Sequence, residues 1–142
     1  MPSAVYPSFV FTVALLVVTT YFLLGGLPLL ILRHDEALDA RFVLGFFNLY
    51  YKVAFWAALG AALSFGLWGR FAFALGAVTL AGVAGGLRRR LFPAMSQLGS
   101  QIEANAEGAV RRFRRLHGMA LLINLAQLVL LGWGTIQLSK AV

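Results

Sequence analysis

The chain has no cysteine among its 142 residues. That excludes a disulfide framework, a thiolate metal site and a cysteine nucleophile. Acidic residues are scarce as well: 5 Asp+Glu stand against 12 Lys+Arg, and charged residues of both signs make up only 12% of the chain. A soluble domain carries about a quarter. Residues 1–32 contain no charged side chain at all, so the first apolar run lacks the basic flank of a secretory signal and reads as a retained helix. No nucleophile–base pair, glycine-rich phosphate loop or pair of intramembrane carboxylates is present, so no catalytic residue is expected. With two histidines in the whole chain, no HxxxH pattern and no acidic pair, no metal site is expected either.

What is present is apolar. Hydrophobic residues make up 61% of the chain and the mean hydropathy is +0.83. The core of a soluble domain this small cannot hide that much apolar surface, whereas a bilayer can. Alternating segments of about ten residues, the mark of a membrane barrel, are missing. The expected fold is all-α, a single-domain integral membrane four-helix bundle. Its spans fall at about 5–32, 42–68, 71–87 and 118–138, and a cytoplasmic helical hairpin over 88–117 extends spans three and four. The first span is expected to break or end near Gly25-Gly26 and Pro28. The polar run Arg33-His34-Asp35-Glu36 then forms a loop. Pro93 is expected to start a fresh amphipathic helix over 94–106, since proline suits a first turn and Met95, Leu98 and Ile102 recur at helical spacing. Gly108 supplies the turn into the last helix.

Two small-residue faces suggest tight helix packing: Ala54, Ala58, Ala62 and Gly66 on the second span, and the GxxxG pair Gly82 and Gly86 on the third. Orientation follows from the basic residues. Arg33, Arg41, Arg88, Arg89, Arg90, Arg111, Arg112, Arg114 and Arg115 fall on one side, and Arg70 and Lys140 on the other. The positive-inside rule puts the first group in the cytoplasm and both termini outside, in a multi-pass protein of a bacterial inner membrane. Trp68, Trp133 and Tyr6 then sit at the outer interface. The net charge of +7 clusters beside apolar runs, so anionic lipid headgroups rather than nucleic acid are the expected partner.

The residues that lipid should exclude are the candidate site. Lys52 is the one charge inside a span, ~16 Å past Arg41 at 1.5 Å per helical residue. An ionisable group there costs roughly 2.5–3.5 kcal/mol on insertion scales and marks a functional position; the alternative is a lysine that snorkels toward the headgroups. Asn48 lies one turn away on the same face and offers the ammonium an acceptor. On the last helix His117, Asn124 and Gln127 share a face, as hydrogen-bonding glue between helices or as a ligand-binding stripe. If spans two and four meet, Lys52, Asn48, Arg115, His117 and Asn124 form a polar cluster suited to an anion such as a lipid phosphate.

The segment F-x-R-x-H-G-x5-N-L, here Phe113, Arg115, His117, Gly118, Asn124 and Leu125, resembles the transmembrane-protein-205-like family of small four-helix membrane proteins. Arg89 with Pro93 resembles that family's exit from its third span, and Phe46-Phe47-Asn48-Leu49-Tyr50-Tyr51 is similar to its second. The likeness covers about residues 40–138. Lys52 departs from it, standing where a histidine or neutral residue is expected, and the first span lacks the family's tryptophan- and glycine-bearing pattern. The resemblance implies a fold and no activity.

Three functions are compatible with these residues. The first, and the one favoured, is a non-catalytic accessory, assembly or lipid-interacting module working with other membrane subunits or as a homo-oligomer. The second is a haem- or metal-binding four-helix protein using His117 and His34; no cofactor is expected, though haem b stays open. The third is an oligomeric transporter or channel with Lys52 in the path.

Overall fold

A computed structural model of the chain describes residues 2–31 and 37–141. The loop expected at Arg33-His34-Asp35-Glu36 lies outside the described residues. After a short 3-10 turn at Pro2–Ala4 come four helices: α1 (Val5–Ile31), α2 (Ala37–Trp68), α3 (Phe71–Glu103) and α4 (Ala109–Ala141). All four are long and apolar enough to cross a membrane. At 1.5 Å per residue the 33 residues of α3 extend about 50 Å, well beyond the ~30 Å hydrocarbon core of a bilayer.

The helices form a ring in which α1 packs on α2 and α4, and α3 packs on α2 and α4. The sequence dictates this through seams of alternating four- and three-residue spacing. On α1 the buried positions are Ser8, Thr12, Leu15, Thr19, Phe22 and Gly26. On α3 they include Ala77, Ala81, Ala84, Leu91, Met95, Leu98 and Ile102. A mean spacing of 3.5 residues keeps a stripe facing its neighbour along a near-antiparallel, left-handed pack. On α2 the buried stripe includes Ala54, Ala57, Ala58 and Ala61.

Two tight turns set the register. At the end of α2 the Arg70 N–H donates to the Phe65 carbonyl at 2.9 Å and the Gly69 N–H to that of Gly66 at 3.1 Å. At the end of α3 the Ala106 N–H donates to the Gln101 carbonyl at 2.8 Å and the Asn105 N–H to that of Ile102 at 3.1 Å. Both are Schellman endings, which require a left-handed residue just past the helix. Gly69 (φ 83) and Asn105 (φ 54) fill that role.

Three expectations are corrected. Helix α1 runs unbroken past Gly25-Gly26 and through Pro28, and α3 runs unbroken through Pro93. Both prolines sit on exposed faces, so each ring removes one backbone donor where the turn can open outward without disturbing the packed seam. The helix expected to start at Pro93 is therefore the second half of α3, and its Met95, Leu98 and Ile102 are buried in the bundle. The Gly82–Gly86 pair is not a packing seam within this chain. Both glycines are exposed, and a Cβ at either would meet nothing within 4 Å. The alanines at 77, 81 and 84 do the packing instead.

Candidate functional site

The five candidate residues do not form one cluster. Helices α2 and α4 lie diagonally across the ring, and only long side chains bridge them. Lys52 and Asn48 point to the α2–α3 side, His117 and Asn124 to the bundle interior, and Arg115 is exposed on α4.

The interior group begins with Phe22, Phe47, Tyr50 and Tyr51, which fill the middle of the ring. Phe22 stacks on Tyr50 with ring centroids 4.0 Å apart. His117 is 0% exposed and meets Phe47 edge-on at 4.9 Å. Its Nε2 lies 3.1 Å from the Gly26 carbonyl oxygen; a carbonyl only accepts, so Nε2 carries the proton. One turn earlier, Arg114 Nη2 donates to the Leu30 carbonyl at 3.2 Å. That carbonyl is in the last turn of α1, where acceptors lack helical partners and a cation suits the helix dipole. The start of α4 thus fastens the end of α1 at two points. Deeper in, Asn124 Nδ2 donates to the Tyr50 hydroxyl at 3.1 Å. These bonds fit interhelical glue, because an unbonded polar group in an apolar interior costs several kcal/mol.

His34, the other ligand of a bis-histidine site, lies outside the described residues. His117 is a poor half of such a site, since binding iron through Nε2 requires breaking its bond to Gly26. Among the described residues no group of three or more His, Asp or Glu side chains could hold a metal ion.

The second group lies in a groove between α2 and α3, with a volume of about 690 Å³. Lys52, Arg88 and Arg89 line it together with Asn48. Arg88 Nε donates to Asn48 Oδ1 at 3.2 Å, so the amide acceptor serves an arginine on the neighbouring helix. Phe55, Trp56 and Phe92 form apolar walls. The floor carries Gly82, Gly85 and Gly86. A Cβ at Gly85 would press on the Phe55 ring at 3.3 Å, whereas Gly82 and Gly86 face open space. Among the described residues no acidic side chain lines the groove. Three cations and an amide at one end of an apolar trough suit an amphipathic anion: guanidinium groups match phosphate oxygens in pairs, and the trough accepts a chain.

Arg88 and Arg89, which the sequence marks for orientation, were not among its candidate site residues, although a signal for that existed. The α2–α3 turn fixes the register. Lys52 lies 16 residues before Trp68 and Arg88 lies 17 after Phe71, so two antiparallel helices bring them level. The short apolar half of α3 thus carries its basic end to the depth of Lys52. No family model, curated protein or solved structure matches this chain.

Proposed function

We propose that the protein is a non-catalytic multi-pass membrane module that holds an anionic lipid in the α2–α3 groove. The observation that carries this reading is the convergence of Lys52, Arg88 and Arg89 on one trough lined by Phe55, Trp56 and glycine. A bound phosphate offsets the repulsion among the three cations and the cost of a lysine at that depth. In this reading the turn between α3 and α4 faces the cytoplasm, where anionic headgroups concentrate, and both termini lie outside. The nine-to-two partition of basic residues supports that orientation. We also propose kinship with the transmembrane-protein-205-like family, on the strength of the Phe113–Leu125 segment.

Native mass spectrometry of protein released from vesicles mixing phosphatidylglycerol with phosphatidylcholine tests the site. Wild type is expected to retain phosphatidylglycerol. Lys52→Met and Arg88→Met each lose most of it, while Arg90→Met, outside the groove, does not. Equal retention by all four proteins would leave Lys52 as a snorkelling residue and remove the lipid-binding function.

A further inference from the structure

The half of the bundle nearer the α2–α3 turn contains a second cavity, of about 470 Å³. That is within the ~300–1,000 Å³ range of small-molecule sites. All four helices contribute to its wall, and among the described residues no ionisable side chain lines it. Thr12, Thr79 and Thr135 line it but spend their hydroxyl hydrogens on their own helices, donating to the carbonyls of Ser8, Leu75 and Leu131. Along most of its length the wall is therefore apolar.

The cavity opens between α3 and α4. Gly76 and Thr79 on one side, and Leu130 and Trp133 on the other, both line the cavity and are exposed. The gap exists because the facing residues are small: a Cβ at Gly76 or Gly134 would meet nothing within 4 Å. At its deep end the cavity shares Leu15, Leu80 and Leu131 with a pocket of about 10 Å³ lined by Thr19, Tyr50 and Gln127. A space of that size holds one oxygen atom with its hydrogen. Asn124, whose Nδ2 donates to the Tyr50 hydroxyl in that pocket's wall, keeps its Oδ1 buried with no hydrogen-bond partner among the described residues.

We propose that this cavity binds an uncharged lipid-like molecule carrying one terminal hydrogen-bonding oxygen. The apolar body lies between α3 and α4, and the oxygen reaches the Thr19–Tyr50–Gln127 pocket. The absence of ionisable wall residues selects against a charged head. The polar deep end selects for a hydroxyl or carbonyl over a plain hydrocarbon. Access is sideways, from the apolar surroundings of the α3–α4 seam. The site is independent of the α2–α3 groove and shares no lining residue that touches the proposed anionic headgroup.

Photolabelling in nanodiscs tests it. The probe is a long-chain alcohol with a mid-chain diazirine, and the competitors are the unlabelled alcohol and the matching alkane. Label is expected on 72–80 and 130–138. The alcohol should compete about tenfold better than the alkane, as one net hydrogen bond to a buried partner allows. Gly134→Leu, whose side chain grows into open space, should abolish the saturable label in a protein that still folds. Gln127→Leu should keep the label and bring the two competitors together. Equal competition in wild type means ordinary acyl chains fill the cavity and overturns the proposal. So does a preference lost in Gln137→Leu instead of Gln127→Leu, which would put the head at the other end. Label that falls as protein-to-lipid ratio rises would give the cavity to a second copy of the chain and overturn it too.

Discussion

The two ends of α3 obey opposite rules. Near the α2–α3 turn, the buried stripe is Ala77, Ala81 and Ala84, and the exposed face carries Phe71, Leu75 and Val78. Near the α3–α4 turn the buried stripe is Leu91, Met95, Leu98 and Ile102, and the exposed face carries Arg88, Arg89, Arg90, Gln97, Ser100 and Glu103. Helix α1 follows the first rule throughout, burying Ser8, Thr12 and Thr19 while exposing Val10, Val13, Val17, Leu24 and Ile31. On α4 the change falls between Arg115 and Met119. A helix surrounded by hydrocarbon gains nothing by hiding apolar side chains, so small and hydroxyl-bearing residues take the seam and let backbones approach. A helix surrounded by water does the reverse. On the membrane reading proposed above, one bundle has two solvents, and its stability should come from different terms at each end.

That contrast can be broken from several directions. The largest effect is expected at the end where apolar burial carries the packing. Phe113, 0% exposed in the α3–α4 core, truncated as Phe113→Ala should cost about 3–5 kcal/mol in reversible unfolding. Val13→Ala on the exposed face of α1 should stay within about 0.5 kcal/mol. Comparable losses at both positions would mean that burial of Phe113 does not carry the packing at that end.

In the other half close approach is what matters. A Cβ at Gly60 would lie 2.5 Å from the Phe11 ring, so Gly60→Ala should lose about 1–3 kcal/mol by overpacking. Gly134→Ala, facing open space, should change little. Thermal melting of the two variants in the same detergent compares them directly.

Between the halves, His117→Leu keeps the volume and removes the donor to the Gly26 carbonyl. Its expected cost is about 1–2 kcal/mol, with faster amide exchange in the last turns of α1. The smallest effect belongs to the exposed Arg41–Glu103 ion pair. Arg41→Ala should cost about 0.5 kcal/mol or less, and less again at high salt. A large loss there would show that water does not reach it.

Much of this was legible in the sequence, for reasons that mark where such reading stops. The spans announced themselves because apolar runs of that length have few other uses. The Met95–Leu98–Ile102 stripe was legible because a helix end with a polar outer face follows ordinary amphipathic spacing. The seams nearer the α2–α3 turn were harder, since Ser8 and Thr12 on the inside look like surface residues to any rule learned in water. The prolines misled because a helix can carry proline on a free face, and which face is free depends on packing. The contact of His117 with Gly26 joins residues 91 positions apart, and no local pattern announces it. The grouping of Lys52 with Arg88 was within reach, because the two-residue turn fixes the register.

The absence of cysteine permits the most direct measurement of the two-solvent claim. Single cysteines at exposed positions along α3 (Leu75, Val78, Gly82, Arg90, Gln97 and Glu103) can be challenged with a membrane-impermeant maleimide, which reacts only with a water-exposed thiolate. In intact cells none should react. In opened vesicles with the cytoplasmic face exposed, Arg90→Cys, Gln97→Cys and Glu103→Cys should label fully, while Leu75→Cys, Val78→Cys and Gly82→Cys stay unlabelled. Labelling at all six positions, or at none, would contradict a change of solvent along α3.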